Sequence, residues 1–468
     1  MADAPRARLQ ACTDFAHELH DNVFPINAEA ICIALRPEPA SLRPPTFFVG
    51  KDLTEPSIAF DHVDHSKRAA GVLEGLTHYG AYEKLTRPIR VVLLSTKSRI
   101  NQMRKLAERL NDGSARYRGS NWTFGSNIEI RQEIVSDQVD DYEAELRRFV
   151  LSSARADTDI ALVYLPRVGD LGDPSHPYFR VKGLLLREGI PSQMVDEATV
   201  LDPEWRDLNL ALNISAKVGA IPWVLDEALD GADLFVGLSS SQVRRGDKTT
   251  RVMGHVNVFD KYGRWYFSRG DTHAFPFDER LQHYRELITQ SVGAFEADSP
   301  HTIRSVHVHL TKSFSADERR ELAAGVRAAA PQASTTFVWV NPDHHLRLYD
   351  LSPGTNGSIT RATYLKDEPG RVYLATTGSN ALKQQMMGTP IPLQLTVWTD
   401  DPSREPPLQE VAQHVLSLTR LNWSSTRNFC HEPITTKFAG AIARLMNGFM
   451  QSPEFSVNPL LRNRPWFL

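Results

Sequence analysis

Five polar residues between positions 178 and 217 have the types and spacing to surround a phosphate group. Tyr178 and Lys182 are four residues apart on a predicted helix, so their side chains share one face. Asn213 and Lys217 repeat that spacing on a later predicted helix, and Gln193 lies between the two pairs. Lysines supply positive charge, amides supply hydrogen-bond donors, and a tyrosine ring can stack on a base. The same pattern is also typical of a solvated helix surface, so the residues alone leave both interpretations open.

Two pairs of histidines could bind a metal. His307 and His309 alternate on one face of a predicted strand, and His344 and His345 adjoin a predicted turn. Polar strand and loop residues are the commoner interpretation of such pairs.

A basic loop is predicted after the strand at 234–238. It is either a solvated hairpin or a contact with a nucleic-acid backbone, which would be independent of base sequence and sensitive to salt. Its basic residues are Arg244, Arg245, Lys248 and Arg251.

Regular alternation from residue 88 onward predicts the elements that position the first five residues. Short apolar runs alternate with segments whose apolar residues recur at helical spacing. Such alternation indicates a parallel sheet with helices on both faces. The predicted strands are 89–94, 128–135, 159–165 and 191–195. The predicted helices are 100–110, 140–154, 177–188 and 205–219.

The predicted order of strands and helices changes near residue 230. Three antiparallel strands are predicted at 234–238, 251–260 and 264–268, followed by a helix at 277–297 and a strand at 303–310. This is the order of an RNase H-like fold, an analogy that does not by itself settle function. The remaining predicted elements are a helix at 315–329, strands at 335–340, 371–376 and 391–398, and helices at 406–420 and 434–450.

Composition indicates a globular protein of two or three domains. The chain has 468 residues, of which 41% are hydrophobic and 23% charged, and a formal net charge of −3. Three scattered cysteines, Cys12, Cys32 and Cys430, predict neither a disulfide framework nor a metal site and favour a cytoplasmic protein. We find no signal peptide, no apolar run of membrane-spanning length and no nucleotide-binding glycine fingerprint.

The segment that holds the first five residues resembles the MID domain of Argonaute proteins. In that family a Tyr/His-xxx-Lys pair, a later Gln or Asn, and a lysine in an "aKxGg" segment hold the 5′ phosphate of a guide strand. The matching positions are Tyr178, Lys182, Gln193 and Lys217, the last in Asn213-Ile-Ser-Ala-Lys217-Val-Gly. Asn213 stands where many eukaryotic members have another lysine, so less positive charge is available to hold the phosphate.

The resemblance also implies a metal ion. Prokaryotic members often place a divalent cation at the guide phosphate, held partly by the chain's own C-terminal carboxylate. This chain reads Arg464-Pro-Trp-Phe-Leu468, an aromatic tail of the type that folds back into the pocket. We therefore expect Mg²⁺ with Gln193 and the carboxylate of Leu468 as ligands. A frayed tail is the alternative.

Later residues resemble the PIWI domain but lack its carboxylates. An RNase H-type nuclease needs several carboxylates around two divalent metals. Three positions of the family pattern carry Ser239, Thr311 and Gly440, and Lys312 follows the second; the fourth position of the pattern, a glutamate, is left unassigned. Because none of the three can supply the missing negative charge, we expect no cleavage by this chain.

The resemblance covers residues 70–468 and implies an α/β fold. We expect a Rossmann-like MID domain at 86–230 followed by an inactive RNase H-like PIWI domain at 231–468, without the N and PAZ domains of longer members. The segment 1–85, which includes a proline-rich stretch and the sequence GLTHYGAY, is interpreted as part of a partner-contacting surface.

The short prokaryotic class of the family implies a sensor in antiviral defence. Such a chain binds a guide RNA, recognises complementary single-stranded DNA, and forms a heterodimer with an APAZ-containing effector. The effector is commonly a sirtuin-like or TIR NADase, and NAD depletion then causes abortive infection. Two alternatives stay open. One is an active guide-directed nuclease with non-standard metal ligands, and the other is a scaffold subunit that binds no guide.

Overall fold

The computed structural model describes residues 5–22, 26–28, 31–33, 50–166, 176–245, 248–271, 274–350, 356–384, 388–449 and 457–468. Cys32 lies in a short strand, whereas most of the proline-rich stretch at 36–56 lies outside the described residues. The N-terminal elements are α1 (Pro5–Asn22), β1 (Ile26–Ala28), β2 (Ile31–Ile33), β3 (Gly50–Asp52), β4 (Ile58–Ala59), β5 (Arg68–Ala69) and α2 (Val72–His78).

A four-stranded parallel sheet follows, as the alternation predicted. Its strands are β6 (Ile89–Thr96), β7 (Ile128–Ser136), β8 (Ile160–Tyr164) and β9 (Ser192–Val195), in the spatial order β7-β6-β8-β9. Strands β6 and β8 are buried on both faces, which explains their continuous apolar sequence. The other elements of this unit are α3 (Ile100–Asp112), α4 (Ser120–Phe124), α5 (Tyr142–Val150), α6 (Pro177–Arg187), α7 (Glu197–Leu201), α8 (Asp207–Val218) and β10 (Val224–Leu225).

The helix predicted at 140–154 is shorter than expected. Helix α5 ends at Val150, and residues 153–157 form a separate 3-10 turn. The Ser152 hydroxyl donates to the Phe149 carbonyl at 2.7 Å. Serine offers the backbone such a local alternative to the α-helical hydrogen bond, and the helix ends there.

The second unit is built on a large mixed sheet. Strands β11 (Leu234–Arg245), β12 (Lys248–Asp260) and β13 (Trp265–Gly270) are antiparallel, and β15 (Ser305–Leu310) pairs parallel to β11. This confirms the RNase H-like order. The remaining elements are β14 (Phe275–Pro276), α9 (Arg280–Asp298), α10 (Ala316–Ala329), β16 (Ser334–Asn341), β17 (Thr363–Glu368), β18 (Arg371–Leu374), β19 (Leu393–Thr399), α11 (Leu408–Leu418) and α12 (Ile434–Phe449).

The basic loop predicted after residue 238 is a continuation of two strands. Arg244 lies opposite Thr249 and Arg245 opposite Lys248, so β11 and β12 extend as an antiparallel ribbon well past the sheet core. The apolar run ends at Leu238, but backbone pairing in an antiparallel hairpin does not require an apolar face. Lys248 and Arg251 are exposed on that ribbon, and their contact with nucleic acid stays a prediction.

The N-terminal segment is built into both units. Strand β3 pairs with β17 at the edge of the large sheet, and β4 pairs with β10. Helix α12 packs along β11, and its Phe449 ring lies 5.4 Å from Phe179 of α6. The boundaries at 85 and 230 stay a prediction, since strand pairing crosses the first of them.

Candidate functional site

Helix α6 carries Tyr178 and Lys182 on its buried face. The helix begins with Pro177, and the His176 ring accepts a hydrogen bond from the Tyr178 amide at 3.1 Å. The Lys182 side chain is only 2% exposed, and its ammonium lies 5.6 Å from the centre of the Tyr178 ring. The solvated-surface interpretation is therefore wrong for this helix.

Helix α8 brings a second buried lysine to the same place. Lys217, in the last turn of α8, is 1% exposed. Its ammonium donates to the Gln193 side-chain oxygen at 2.7 Å and to the Ser192 carbonyl at 3.0 Å. The structure thus joins Lys217 to β9 through Gln193.

The two ammonium groups form a buried positive site. Burial lowers the pKa of Lys182 to about 8. Burial also lowers the pKa of Lys217 well below its usual value, and the nearby charge of Lys182 adds to this effect. In the part of the chain that the structure describes, neither lysine has a carboxylate within ion-pair distance. A buried charge without a counterion is costly, so the site favours an anionic ligand.

The last residues of the chain pack onto this site. Lys182 donates to the Trp466 carbonyl at 3.3 Å. The Trp466 and Phe467 side chains are buried, and the Phe467 ring lies 5.2 Å from Phe438 of α12. Leu468 is half-buried. The folded-back tail is therefore present, whereas the role of the Leu468 carboxylate stays a prediction.

Asn213 lies on α8 one turn before Lys217, and its side chain bonds backbone carbonyls. Its side-chain amide donates to the Asn209 carbonyl at 2.7 Å and to the Ser424 carbonyl at 3.3 Å. No hydrogen bond found in the described residues links it to either buried lysine. Asn213 thus fastens the segment after α11 to α8, and its contact with a phosphate stays a prediction.

A small cavity beside the tail holds two arginines that sequence inspection missed. The cavity, of about 130 Å³, is lined by Arg269, Arg462, His255 and Trp466 among others. Burial, together with the charge of Arg462, lowers the pKa of Arg269. The two arginines are far apart in sequence and belong to no motif, so only the fold reveals their proximity.

The three positions expected to carry nuclease carboxylates converge in space. Parallel pairing of Leu238 with Leu310 places Ser239, within β11, close to Thr311, which directly follows the end of β15. The Ser239 hydroxyl donates to the Ala439 carbonyl at 2.6 Å, next to Gly440 on α12. The three positions that the sequence pattern assigned to one site therefore lie near one another in the structure.

The strand histidines lie in the core. His307 and His309 are fully buried against Phe235, and the His307 ring lies 5.2 Å from that of His414. Within the described ranges, no group of three or more His, Cys, Asp or Glu residues is arranged to hold a metal ion. His344 bonds the Pro392 carbonyl.

Sequence comparison points to one group of proteins. The chain is 24% identical over 344 residues to the Argonaute of Cereibacter sphaeroides, and the alignment covers 64% of this chain and 41% of that protein. It is 31% identical over 120 residues to the Argonaute of Aquifex aeolicus, which covers 24% of this chain and 17% of that protein. The chain is thus similar in sequence to Argonaute proteins. No family model matches it.

Solved Argonaute structures share the fold of this chain. The Argonaute of Clostridium butyricum, bound to a guide DNA and a 19-mer target DNA, aligns with a TM-score of 0.73 at 16% identity. The alignment covers 100% of this chain and 60% of that one. The A. aeolicus Argonaute aligns with a TM-score of 0.64 at 20% identity, over 89% of this chain and 55% of that one. The architecture is therefore that of the MID and PIWI domains.

The chain spans less than two thirds of the length of each relative: 41% and 17% of the two sequences, and 60% and 55% of the two structures. Among the described helices, none is both long and apolar enough to cross a membrane.

Proposed function

We propose that the chain binds the 5′ phosphate of a guide RNA, recognises complementary DNA, and transmits that recognition to an effector protein without cutting. One observation carries the proposal. Lys182 and Lys217 are both buried and lack carboxylate partners among the described residues, and Gln193 and Tyr178 complete the site. A terminal phosphate supplies the missing negative charge and accepts hydrogen bonds from both ammonium groups.

The fold and the relatives support this function. Homology to Argonautes covers most of the chain, and one structural relative holds a guide DNA and a target DNA. Purification from cells, followed by extraction and end-labelling of bound nucleic acid, tests the proposal. Short strands with a 5′ phosphate support it, and RNase or DNase sensitivity identifies the guide. Protein free of short strands, and unable to take them up, indicates the scaffold alternative.

Ser239, Thr311 and Gly440 support the absence of cleavage. The three residues lie within β11, directly after β15 and in α12, at positions where the family pattern has metal-binding carboxylates. Hydroxyls and a bare backbone do not neutralise two divalent metals. Incubation with guide, labelled complementary target and Mg²⁺ or Mn²⁺ should leave the target intact. Cleavage that follows the guide register and persists through purification would establish the nuclease alternative.

A Mg²⁺ ion at the guide phosphate fits the donors available. Gln193 Oε1 accepts from Lys217, but an amide oxygen has a second lone pair for a cation. The Leu468 carboxylate and phosphate oxygens are also hard oxygen donors. The ion would neutralise phosphate charge and compensate for asparagine at position 213. Chelation with EDTA should therefore weaken binding of a 5′-phosphorylated guide more than that of a 5′-hydroxyl strand.

An acidic cavity supports the partner-contacting role of the N-terminal segment. A cavity of about 550 Å³ lies between residues 54–57, 225–230 and 407–417. Glu227, Asp230 and Glu410 line it and have no cationic partner within ion-pair distance in the described residues. We propose that an APAZ-containing effector, a sirtuin-like or TIR NADase, docks here through a basic segment. Charge reversal at Glu227 and Glu410 should prevent co-purification of that effector and NAD loss on target binding.

A further inference from the structure

An exposed surface of the MID domain pairs arginines with tryptophans. The guanidinium of Arg116 lies 3.5 Å from the centre of the Trp205 ring, and that of Arg118 lies 3.8 Å from the centre of the Trp122 ring. Lys84 lies 5.0 Å from the Trp122 ring and donates to its carbonyl at 2.8 Å. These three cations are exposed.

The loop that carries both arginines is held in a defined shape. Ser114 and Tyr117 exchange backbone hydrogen bonds of 2.6 and 3.2 Å, which closes a tight turn. The Tyr117 side chain is buried, and its hydroxyl donates to the Leu110 carbonyl at 2.9 Å. Because Tyr117 points inward, its neighbours Arg116 and Arg118 both project into solvent. Because the loop is already ordered, little conformational entropy is lost when a ligand binds to it.

Trp205 is exposed in a conformation that disfavours it. Its side chain is 61% exposed, and its backbone φ is +69°. Positive φ is a genuine outlier for a bulky residue, and such strain persists mainly where it serves a function. A solvated indole adds no core packing, so the stability of the fold does not account for the residue.

The charges around the two rings are uncompensated. Arg116, Arg118 and Lys84 have no carboxylate within ion-pair distance among the described residues. The chain as a whole has a formal net charge of −3, so this cluster is not part of a generally basic surface. Cations beside accessible aromatic rings are the combination that binds single-stranded nucleic acid, because phosphates meet the charges while bases stack on the rings.

We propose that Arg116, Arg118, Trp122 and Trp205 form a second nucleic-acid contact, which binds a single-stranded segment outside the guide pocket. None of its residues belongs to the site of Lys182 and Lys217, so it does not depend on the proposed guide function. Its interaction with phosphates is independent of base sequence and sensitive to salt.

Fluorescence anisotropy with a labelled 5′-hydroxyl oligothymidylate tests the proposal. The full chain carries Lys182→Ala and Lys217→Ala throughout, so that the guide pocket does not contribute. Adding Arg116→Ala and Arg118→Ala should weaken binding roughly tenfold or more and lower the salt slope by about one for each phosphate that the variant no longer binds. Arg320→Ala removes a comparably exposed arginine from α10 and should leave both quantities unchanged. Equal affinity and salt slope in the loop variant and its control would overturn the proposal.

Trp205→Gly separates a binding role from a structural one. Glycine adopts positive φ without strain, so the thermal unfolding midpoint should stay constant or rise. Removal of one stacking platform should weaken oligothymidylate binding roughly 5- to 100-fold. A lower midpoint with unchanged binding would assign Trp205 to the fold and overturn the proposal. The proposal would also be overturned if the variant with Arg116→Ala and Arg118→Ala lost binding to polyglutamate but kept binding to the oligonucleotide. The surface would then fit an acidic protein.

Discussion

Replacing the buried lysines by methionine should separate phosphate recognition from stability. Methionine is an unbranched apolar side chain that fills irregular core space well, so the packing around α6 and α8 should persist. Hydrogen bonds between a charged and a polar group are worth about 1.5–3 kcal/mol each. At 1.4 kcal/mol per tenfold change, each single variant should weaken guide binding by roughly 10- to 100-fold. The double variant should lose all preference for a 5′-phosphorylated strand over its 5′-hydroxyl counterpart.

The same substitutions should stabilise the guide-free protein. Burial lowers the pKa of Lys182 from 10.5 to about 8, which corresponds to about 3 kcal/mol of lost hydration for its ammonium. Lys182→Met removes that cost, so its free energy of unfolding at pH 7 should rise by as much as about 3 kcal/mol. Lys105→Met, on the exposed face of α3, is the matched control and should change neither quantity.

Anisotropy with paired 5′-phosphate and 5′-hydroxyl strands measures the preference, and urea denaturation measures the stability. An unchanged preference in Lys182→Met with Lys217→Met would refute the assignment of the pocket. A double variant that keeps the preference but unfolds more readily would show that the lysines serve the fold alone.

Three further predictions concern pH and two buried hydrogen-bonded groups. Guide affinity should fall as pH rises above about 8, because Lys182 must be protonated to bind phosphate and its pKa in the free protein is about 8. Measuring the preference for a 5′-phosphorylated strand between pH 7 and 9.5 checks this prediction. A preference that does not change with pH would contradict it. Ser239→Ala removes the hydrogen bond to Ala439 and should cost about 1 kcal/mol of stability with no effect on guide binding, as urea denaturation and anisotropy would show. Asp159→Asn should lower stability by about 3–5 kcal/mol, because the buried Asp159 carboxylate pairs with Arg87 and Arg90. These guanidinium groups hold the pKa of Asp159 well below its usual value. In the parent protein, the stability that the ion pairs contribute is therefore present above about pH 4 and is lost only as the pH falls further. An acid-denaturation profile that is the same for parent and variant would refute this prediction.

Local patterns predicted the sheets because buried positions carry apolar residues at regular spacing. Strands β6 and β8 are mostly apolar because both faces are covered, and their predicted ends agree with the structure within two residues. Helical spacing also placed Tyr178 and Lys182 together. The burial of Lys182 could not be predicted, because a lysine at a helical position is usually solvated and its contact with Trp466 joins residues 284 positions apart.

Interactions between distant residues account for most of what sequence inspection missed. Asn213 donates a hydrogen bond to Ser424, 211 positions later, so the sequence around Asn213 does not indicate this contact between the two units. Arg269 and Arg462 meet only because the tail crosses β13. The extension of β11 through Arg245 depends on pairing with β12 rather than on apolar residues of its own. In each case the partner, rather than the local sequence, decides the conformation.

The affinity of the unmodified chain for two guides that differ only in the 5′ phosphate tests the central claim most directly. Two buried ammonium groups that each gain about 1.5–3 kcal/mol from the phosphate predict a preference of at least 100-fold for the phosphorylated strand at pH 7. Equal affinity for the two strands would contradict the account, because it would show that Lys182 and Lys217 do not receive a guide end.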